Sequence, residues 1–309
     1  MIILLASNYL IYIIISFKNI FKSSIYKIKK KRKIEGLEKI TKEYILNEFD
    51  YLKNITDMDE SHNKRLDTKY MQFCRYSDIT TYKDNRVKIP SKFGYINASW
   101  VHMPYINHFI ATQGPLDSTI DDFWDMCFNY NVKVIVMLCK LKENEREKCA
   151  NYWESNLKKY KLIKSNNEKS KDEGLIIRNF KMVKKYGPNF NSKDIIQIHL
   201  TTWDDHTAPT SNFNKIQIII DFVDKFKKNC PVVVHCSAGV GRTGTFIGLY
   251  NLHNEITRQI NNIHTRDIKF SILNLVRKLK EMRLYLVENE DQYILLYEFA
   301  MKILNENNI

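Results

Sequence analysis

The sequence predicts an α/β domain: a central mixed, twisted sheet flanked by helices, with a site on the loop between a buried strand and a helix. Three observations carry that prediction. Short β-branched runs at 132–138 and 231–234 read as buried strands. Helical apolar patterns alternate with short apolar runs from 95 to 136 and then close the chain in three stretches, 243–259, 271–282 and 291–305. Between the second strand and the first closing helix lies a turn of small residues, at the carboxyl edge of the sheet where α/β folds hold their sites.

Composition fits one large domain with a short appendage. The 309 residues are 44% hydrophobic, and 18 Tyr with 16 Phe can fill a sizeable core. Only 9 Gly and 6 Pro argue against a collagen-like or disordered chain. Cysteines stand at 74, 127, 139, 149, 230 and 236, with no CxxC pair and no His/Cys group at zinc-ligand spacing. That pattern fits free thiols in a reducing compartment.

The appendage is residues 1–34, hydrophobic and then basic, and the domain proper is 35–309. Residues 1–17 carry no charge. As a helix this run would be about 26 Å long, slightly short of the roughly 30 Å hydrocarbon core. Eight cations follow from Lys18 to Lys33 before the first acid, Glu35, so the rest of the chain carries only +5 of the net +13. Three readings stand for the segment: a span with its lysines in the cytosol, a helix on an anionic membrane surface, or a bland extension. The basic run would equally suit a nuclear-localisation or nucleic-acid patch, although nucleic acid is the disfavoured partner.

Taken in order, the domain begins with a helix over 37–52, where Leu37, Ile40, Tyr44, Phe49 and Leu52 recur at helical spacing. Residues 165–174 are polar and charged and read as a loop. The most informative stretch is Val232-Val233-Val234-His235-Cys236-Ser237-Ala238-Gly239-Val240-Gly241-Arg242-Thr243-Gly244. A buried strand delivers a cysteine; Ser237, Ala238, Gly239, Val240 and Gly241 let the backbone curl round an anion; a helix amino terminus follows. These features favour a Cys236 thiolate and cradle a tetrahedral phosphate in front of it. Arg242 can grip two phosphate oxygens in a planar fork. Thr243 can hydrogen-bond the sulfur, and His235 orients the loop rather than exchanging protons. The bland alternative is a tight strand-to-helix turn with an inert cysteine.

Residues 235–244 resemble the signature of the classical protein tyrosine phosphatases, and the likeness runs in order from about residue 37 to 305. The resemblance implies a cysteinyl-phosphate intermediate, no metal, no cofactor, and phosphotyrosine-containing proteins as partners. Trp203-Asp204-Asp205-His206 is similar to the family's mobile acid loop and makes Asp205 the general acid, although Asp204 replaces its Pro and Thr207 its Gly. Cys74-Arg75-Tyr76-Ser77-Asp78 resembles the recognition loop, with Tyr76 stacking on the substrate ring and Asp78 holding the substrate backbone. The family pattern also implies Glu143 as partner of Arg242. Gln292 matches a residue that positions the hydrolytic water, but Glu288 stands where the family has a second Gln, and Tyr285 stands where it often has Gly at the pocket mouth. These departures keep a second reading open, a catalytically impaired protein that traps phosphotyrosine targets. An RNA 5′-triphosphatase is a third. The Lys/Asn/Ile/Tyr-rich composition further resembles phosphatases encoded by polydnaviruses of parasitoid wasps, which would imply action inside a host insect cell. The implied location is cytoplasmic, with residues 1–33 as a membrane-associating element.

Overall fold

The structure, a computed structural model, describes residues 26–29, 40–91, 93–103, 108–164, 169–186, 192–204, 207, 212–262 and 267–308. Its centre is an eight-stranded mixed sheet. Four strands form the parallel middle: β3 (Phe109–Thr112), β11 (Val232–His235), β4 (Val134–Met137) and β10 (Ser192–Leu200), in that spatial order. β3, β4 and β11 read Phe-Ile-Ala-Thr, Val-Ile-Val-Met and Val-Val-Val-His and are buried throughout. Continuous apolar runs of this kind belong to strands covered on both faces. Antiparallel strands complete the sheet: β2 (Ala98–Val101) beyond β3, and β9 (Leu175–Lys184), β7 (Tyr160–Lys164) and β8 (Lys169–Asp172) beyond β10.

Helices flank the sheet. The first, α1 (Lys42–Asp57), is capped by Thr41, whose side chain accepts the Tyr44 N–H, and buries Ile45, Glu48, Phe49 and Leu52 at spacings of three and four. Ile40 and Thr41, read from the sequence as helical, lie ahead of its first residue, and 37–39 lie outside the described residues. α2 (Glu60–Arg65), α3 (Ile120–Asn129) and α4 (Phe213–Phe226) follow, the last packing on β4 and β10.

The closing block matches expectation to within two residues at each end. α5 spans Gly241–Asn261, α6 spans Ile272–Met282 with Ser271 as cap, and α7 spans Glu290–Glu306 with Asn289 as cap. α5 is buried on nearly every side along its first half and packs against α7, where Leu296 sits against Gly248. Each fully buried Leu, Ile or Val side chain in this block contributes about 1.5–3 kcal/mol.

Two local readings change. Within the stretch expected to be a loop, Lys169–Asp172 forms a strand paired with β9; polar side chains are compatible with a strand that lies off the main strand path. At the amino terminus, β1 (Tyr26–Lys29) pairs antiparallel with β12 (Asp267–Phe270), so part of the basic segment lies against the domain. The rest of residues 1–34 lies outside the described residues. Among the described residues no helix is long and apolar enough to cross a membrane.

Candidate active site

The strand β11 ends at His235, and the chain turns through Cys236–Val240 into α5. Gly239 makes the turn possible. Its φ is +74°, and a Cβ there would lie 2.1 Å from the Thr112 carbonyl oxygen, so no other residue fits. The first amides of α5 have no acceptor within the helix and carry the positive end of its dipole. Cys236, 4% exposed, lies at the floor of a cavity of about 270 Å³ whose walls include Tyr76, Asp78, Ser237, Ala238, Arg242 and Glu288.

Three contacts arrange the reactive end. Thr243 Oγ1 donates to Cys236 Sγ at 3.3 Å. Arg242 forms a two-pronged pair with Glu143, Nη1 to Oε1 at 2.8 Å and Nη2 to Oε2 at 3.1 Å, and Nη1 also donates to the Trp203 carbonyl at 2.8 Å. The guanidinium is thereby held in one plane before any anion arrives, with its side chain 1% exposed. Glu143 is aligned in turn by the Lys140 backbone N–H, 3.0 Å from its Oε1.

His235 lies behind the turn. It is fully buried, Nε2 meets the Tyr152 hydroxyl at 2.9 Å, and Nδ1 meets the Cys236 carbonyl at 3.1 Å. Burial pushes its pKa down to about 3, so it stays neutral and serves as a hydrogen-bonding brace. Tyr152 is itself fixed by Gln197 Nε2 at 2.6 Å.

The segment 74–78 places Tyr76 and Asp78 in the cavity wall. Tyr76 reaches the Ser237 hydroxyl at 3.0 Å, and Arg75 ties the loop down through the carbonyls of Gly114 (3.2 Å) and Pro115 (2.7 Å). Gly114 N–H donates to the Ser237 carbonyl at 2.9 Å, which links this support to the phosphate-sized loop itself.

Trp203 is buried and its Nε1 donates to the Thr207 carbonyl at 2.9 Å. Asp204 is 73% exposed and pairs with Lys140 at 3.5 Å. Asp205, the expected general acid, lies outside the described residues.

Glu288 and Gln292 converge on the first residue of α5. Gln292 is 1% exposed and its Oε1 accepts the Glu288 N–H at 2.9 Å. Glu288 Oε2 and Gln292 Nε2 lie 2.7 and 2.8 Å from where a Cβ on Gly241 would stand, and Glu288 lines the cavity. A carboxylate therefore rests against the amino terminus of α5. Tyr285, with φ +66°, is 41% exposed.

Sequence reading missed Arg283. Fully buried, it donates to the carbonyls of Gly239 (Nε, 2.9 Å) and Ala238 (Nη2, 3.1 Å), to Asn97 Oδ1 at 2.8 Å and to Ser99 Oγ at 3.2 Å. It clamps the outside of the turn whose inside faces the cavity. An arginine between Met282 and Leu284 in an otherwise apolar run was the one available signal.

A family model described as protein-tyrosine phosphatase matches residues 70–302. Human tyrosine-protein phosphatase non-receptor type 20 is 34% identical over 241 residues, covering 75% of this chain and 54% of that protein. Drosophila melanogaster tyrosine-protein phosphatase 69D is 38% identical over 240 residues, covering 72% of this chain and 16% of that protein. The chain thus spans about half or less of the length of these relatives. Among solved structures, the catalytic domain of human protein tyrosine phosphatase non-receptor type 18 is similar with a TM-score of 0.73 at 26% identity, covering 86% of this chain and 98% of that one. A complex of the same phosphatase with HER2 phosphopeptides is similar with a TM-score of 0.76 at 23% identity, covering 94% and 99%.

Proposed function

The chain belongs to the protein-tyrosine phosphatase family, and from that premise we propose that it hydrolyses phosphotyrosine in proteins through a cysteinyl-phosphate intermediate. The observation that carries the reading is the joint placement of the Cys236 sulfur, the Thr243 hydroxyl and the Glu143-held Arg242 around one cavity. Type 18 complexes with HER2 phosphopeptides support a phosphotyrosine segment as the occupant.

In the first step the substrate ring stands beside Tyr76, and its phosphate sits on the amides of the turn with two oxygens against Arg242. The Cys236 thiolate forms a bond to phosphorus as the bond to the phenolic oxygen breaks. Asp205 gives that oxygen its proton, so neutral tyrosine leaves. In the second step water attacks the phosphocysteine, its proton passes to Asp205, and the sulfur departs as a thiolate stabilised by Thr243. Arg242 and the helix amino terminus hold the charge that the equatorial oxygens carry in both transition states.

Glu288 bears on the second step. A negative group at the cavity wall repels the phosphoryl oxygens that a neutral amide would hydrogen-bond. Formation of the intermediate is then intact and its hydrolysis is slowed, which supports a phosphatase of low turnover.

The test uses the purified full chain with p-nitrophenyl phosphate and a phosphotyrosine peptide. Release of p-nitrophenol and inorganic phosphate is expected, and both should disappear in Cys236→Ser. Binding of the peptide without any release in the wild type would favour a trap. Hydrolysis of triphosphate-ended RNA with neither phosphotyrosine substrate touched would favour the third reading.

The same reading places the catalytic domain at 35–309 in the cytoplasm, with residues 1–33 as a membrane-associating element. The uncharged run followed by eight cations supports it. Deleting residues 1–34 should release a pelleted pool in cell fractionation, and an unchanged distribution counts against it. Composition supports the narrower setting of a host insect cell, for which transcripts in parasitised insects are the check.

A further inference from the structure

Two hairpins border the catalytic turn. One, β5 (Lys142–Glu143) with β6 (Arg146–Glu147), presents Glu143 to Arg242. The other, β2 with β3, sets Thr112 against Gly239 at one end and carries two histidines at the other. Its register pairs Ala98 with Thr112 and Val101 with Phe109. His102 and His108 therefore face each other one step beyond the last pair, about 13 Å along the strand from Thr112. Their Nδ1 atoms lie 2.5 Å apart, and the rings meet edge to face with centroids 4.3 Å apart at 87°. Trp100 braces both imidazoles: His102 stacks on it at 5.9 Å and 13°, and His108 meets it edge-on at 6.1 Å and 82°. Tyr130 in turn stands edge-on to Trp100 at 5.0 Å, and the His102 backbone N–H donates to Met282 Sδ at 3.1 Å. An isolated surface histidine points at water and needs no partner. Here both side chains are exposed, yet one indole orients the two rings and each turns its Nδ1 to the same point.

We propose that His102 and His108 form a chelating site for a divalent transition metal, with zinc as the representative ion, that clips the outer end of this hairpin. Imidazole is a ligand for zinc, copper and nickel, whereas magnesium and calcium take oxygen. At Zn–N lengths of about 2.0–2.1 Å and tetrahedral angles, the two nitrogens stand about 3.3 Å apart. The rings thus part by roughly 0.8 Å on binding, a small rotation for exposed side chains. In the metal-free pair one ring N–H donates to the other ring's bare nitrogen. When the ion binds, the donor ring carries that hydrogen on Nε2 instead, its other neutral tautomer. Among the described residues no third His, Cys, Asp or Glu joins the pair, so water completes the coordination. The site is separate from the cysteine chemistry and stands whether or not the chain is a phosphatase.

The test is calorimetric titration of zinc into the full chain carrying Cys236→Ser, which removes the reactive thiolate as a competing ligand. Zinc should bind, and magnesium and calcium should not reproduce its heat. His102→Gln and His108→Gln should each weaken binding by at least about 10- to 100-fold, the range that loss of an outer-shell partner alone costs. The double variant should be no weaker than either single one, because a lone imidazole cannot chelate. Both side chains are exposed, so Gln leaves the metal-free fold intact. No zinc binding in the parent, or zinc bound as tightly by the double variant, overturns the site. Two small losses that simply add overturn it as well, since they describe independent histidines rather than a chelate.

Discussion

Replacing Glu143 by Gln should loosen the protein and misplace its arginine together. Arg242 is 1% exposed and holds its charge at any accessible pH. Its countercharge arrives through contacts of 2.8 and 3.1 Å to the two oxygens of Glu143. Gln preserves the shape but offers one acceptor, and its amide N–H₂ confronts another donor. Removing one partner of a buried ion pair costs about 3–5 kcal/mol, because the remaining charge is left desolvated. The 2.8 Å bond to the Trp203 carbonyl and one surviving amide contact survive the change. They bring the expected loss to about 2–3 kcal/mol. For a domain of this size that is a fall in Tm of roughly 4–12 °C. Inorganic phosphate in front of Cys236 returns a negative charge to Arg242, so saturating phosphate should raise the Tm of the variant several degrees more than that of the wild type, on general linkage grounds. Scanning calorimetry with and without phosphate reads both effects. Equal phosphate shifts in the two proteins, or a Tm unaltered by the substitution, would refute the reasoning.

Two further outcomes are expected. Rapid mixing with an aryl phosphate should give a burst of phenol close to one equivalent of enzyme, and Glu288→Gln should raise the steady rate and shrink the burst; a wild-type trace without a burst and a variant no faster removes Glu288 as the bottleneck. Glu48, buried between α1 and α7, accepts hydroxyls from Tyr293 (2.7 Å), Tyr297 and Tyr44 (3.4 Å), yet burial outweighs these bonds and raises its pKa above 4.5. The folded protein then binds that proton more tightly than the unfolded chain. Its contribution is complete below the unfolded pKa and is lost as pH rises through the higher folded one. Glu48→Gln cannot ionise, so its Tm relative to wild type should improve from about pH 4 to pH 7, since an unperturbed Glu titrates near the lower end of that window; a difference that stays flat or moves the other way across that range sinks the argument.

Much of this protein was legible from local chemistry. The β-branched runs marked β4 and β11, and helical spacing marked α6 and α7, because these signals act over a few neighbouring residues. The run 235–244 announced a cysteine, an arginine and a small-residue turn in fixed order, and the structure places them at the end of β11 and the start of α5. Where local signals competed, the sequence misled: the apolar period ran through Ile40 while the Thr41 cap set the start of α1 at Lys42.

What only the tertiary structure decided are the contacts between elements far apart in the chain. Glu143 meets Arg242 across 99 positions, and Arg283 reaches Asn97 across 186. Nothing near Arg283 says that the turn at 238–239 will lie beside it; that depends on how α6 packs against β2 and α5. Likewise Glu288 and Gln292 stand four residues apart, and only the packing of α7 on α5 brings both side chains to Gly241, because that meeting depends on helices far apart in the chain.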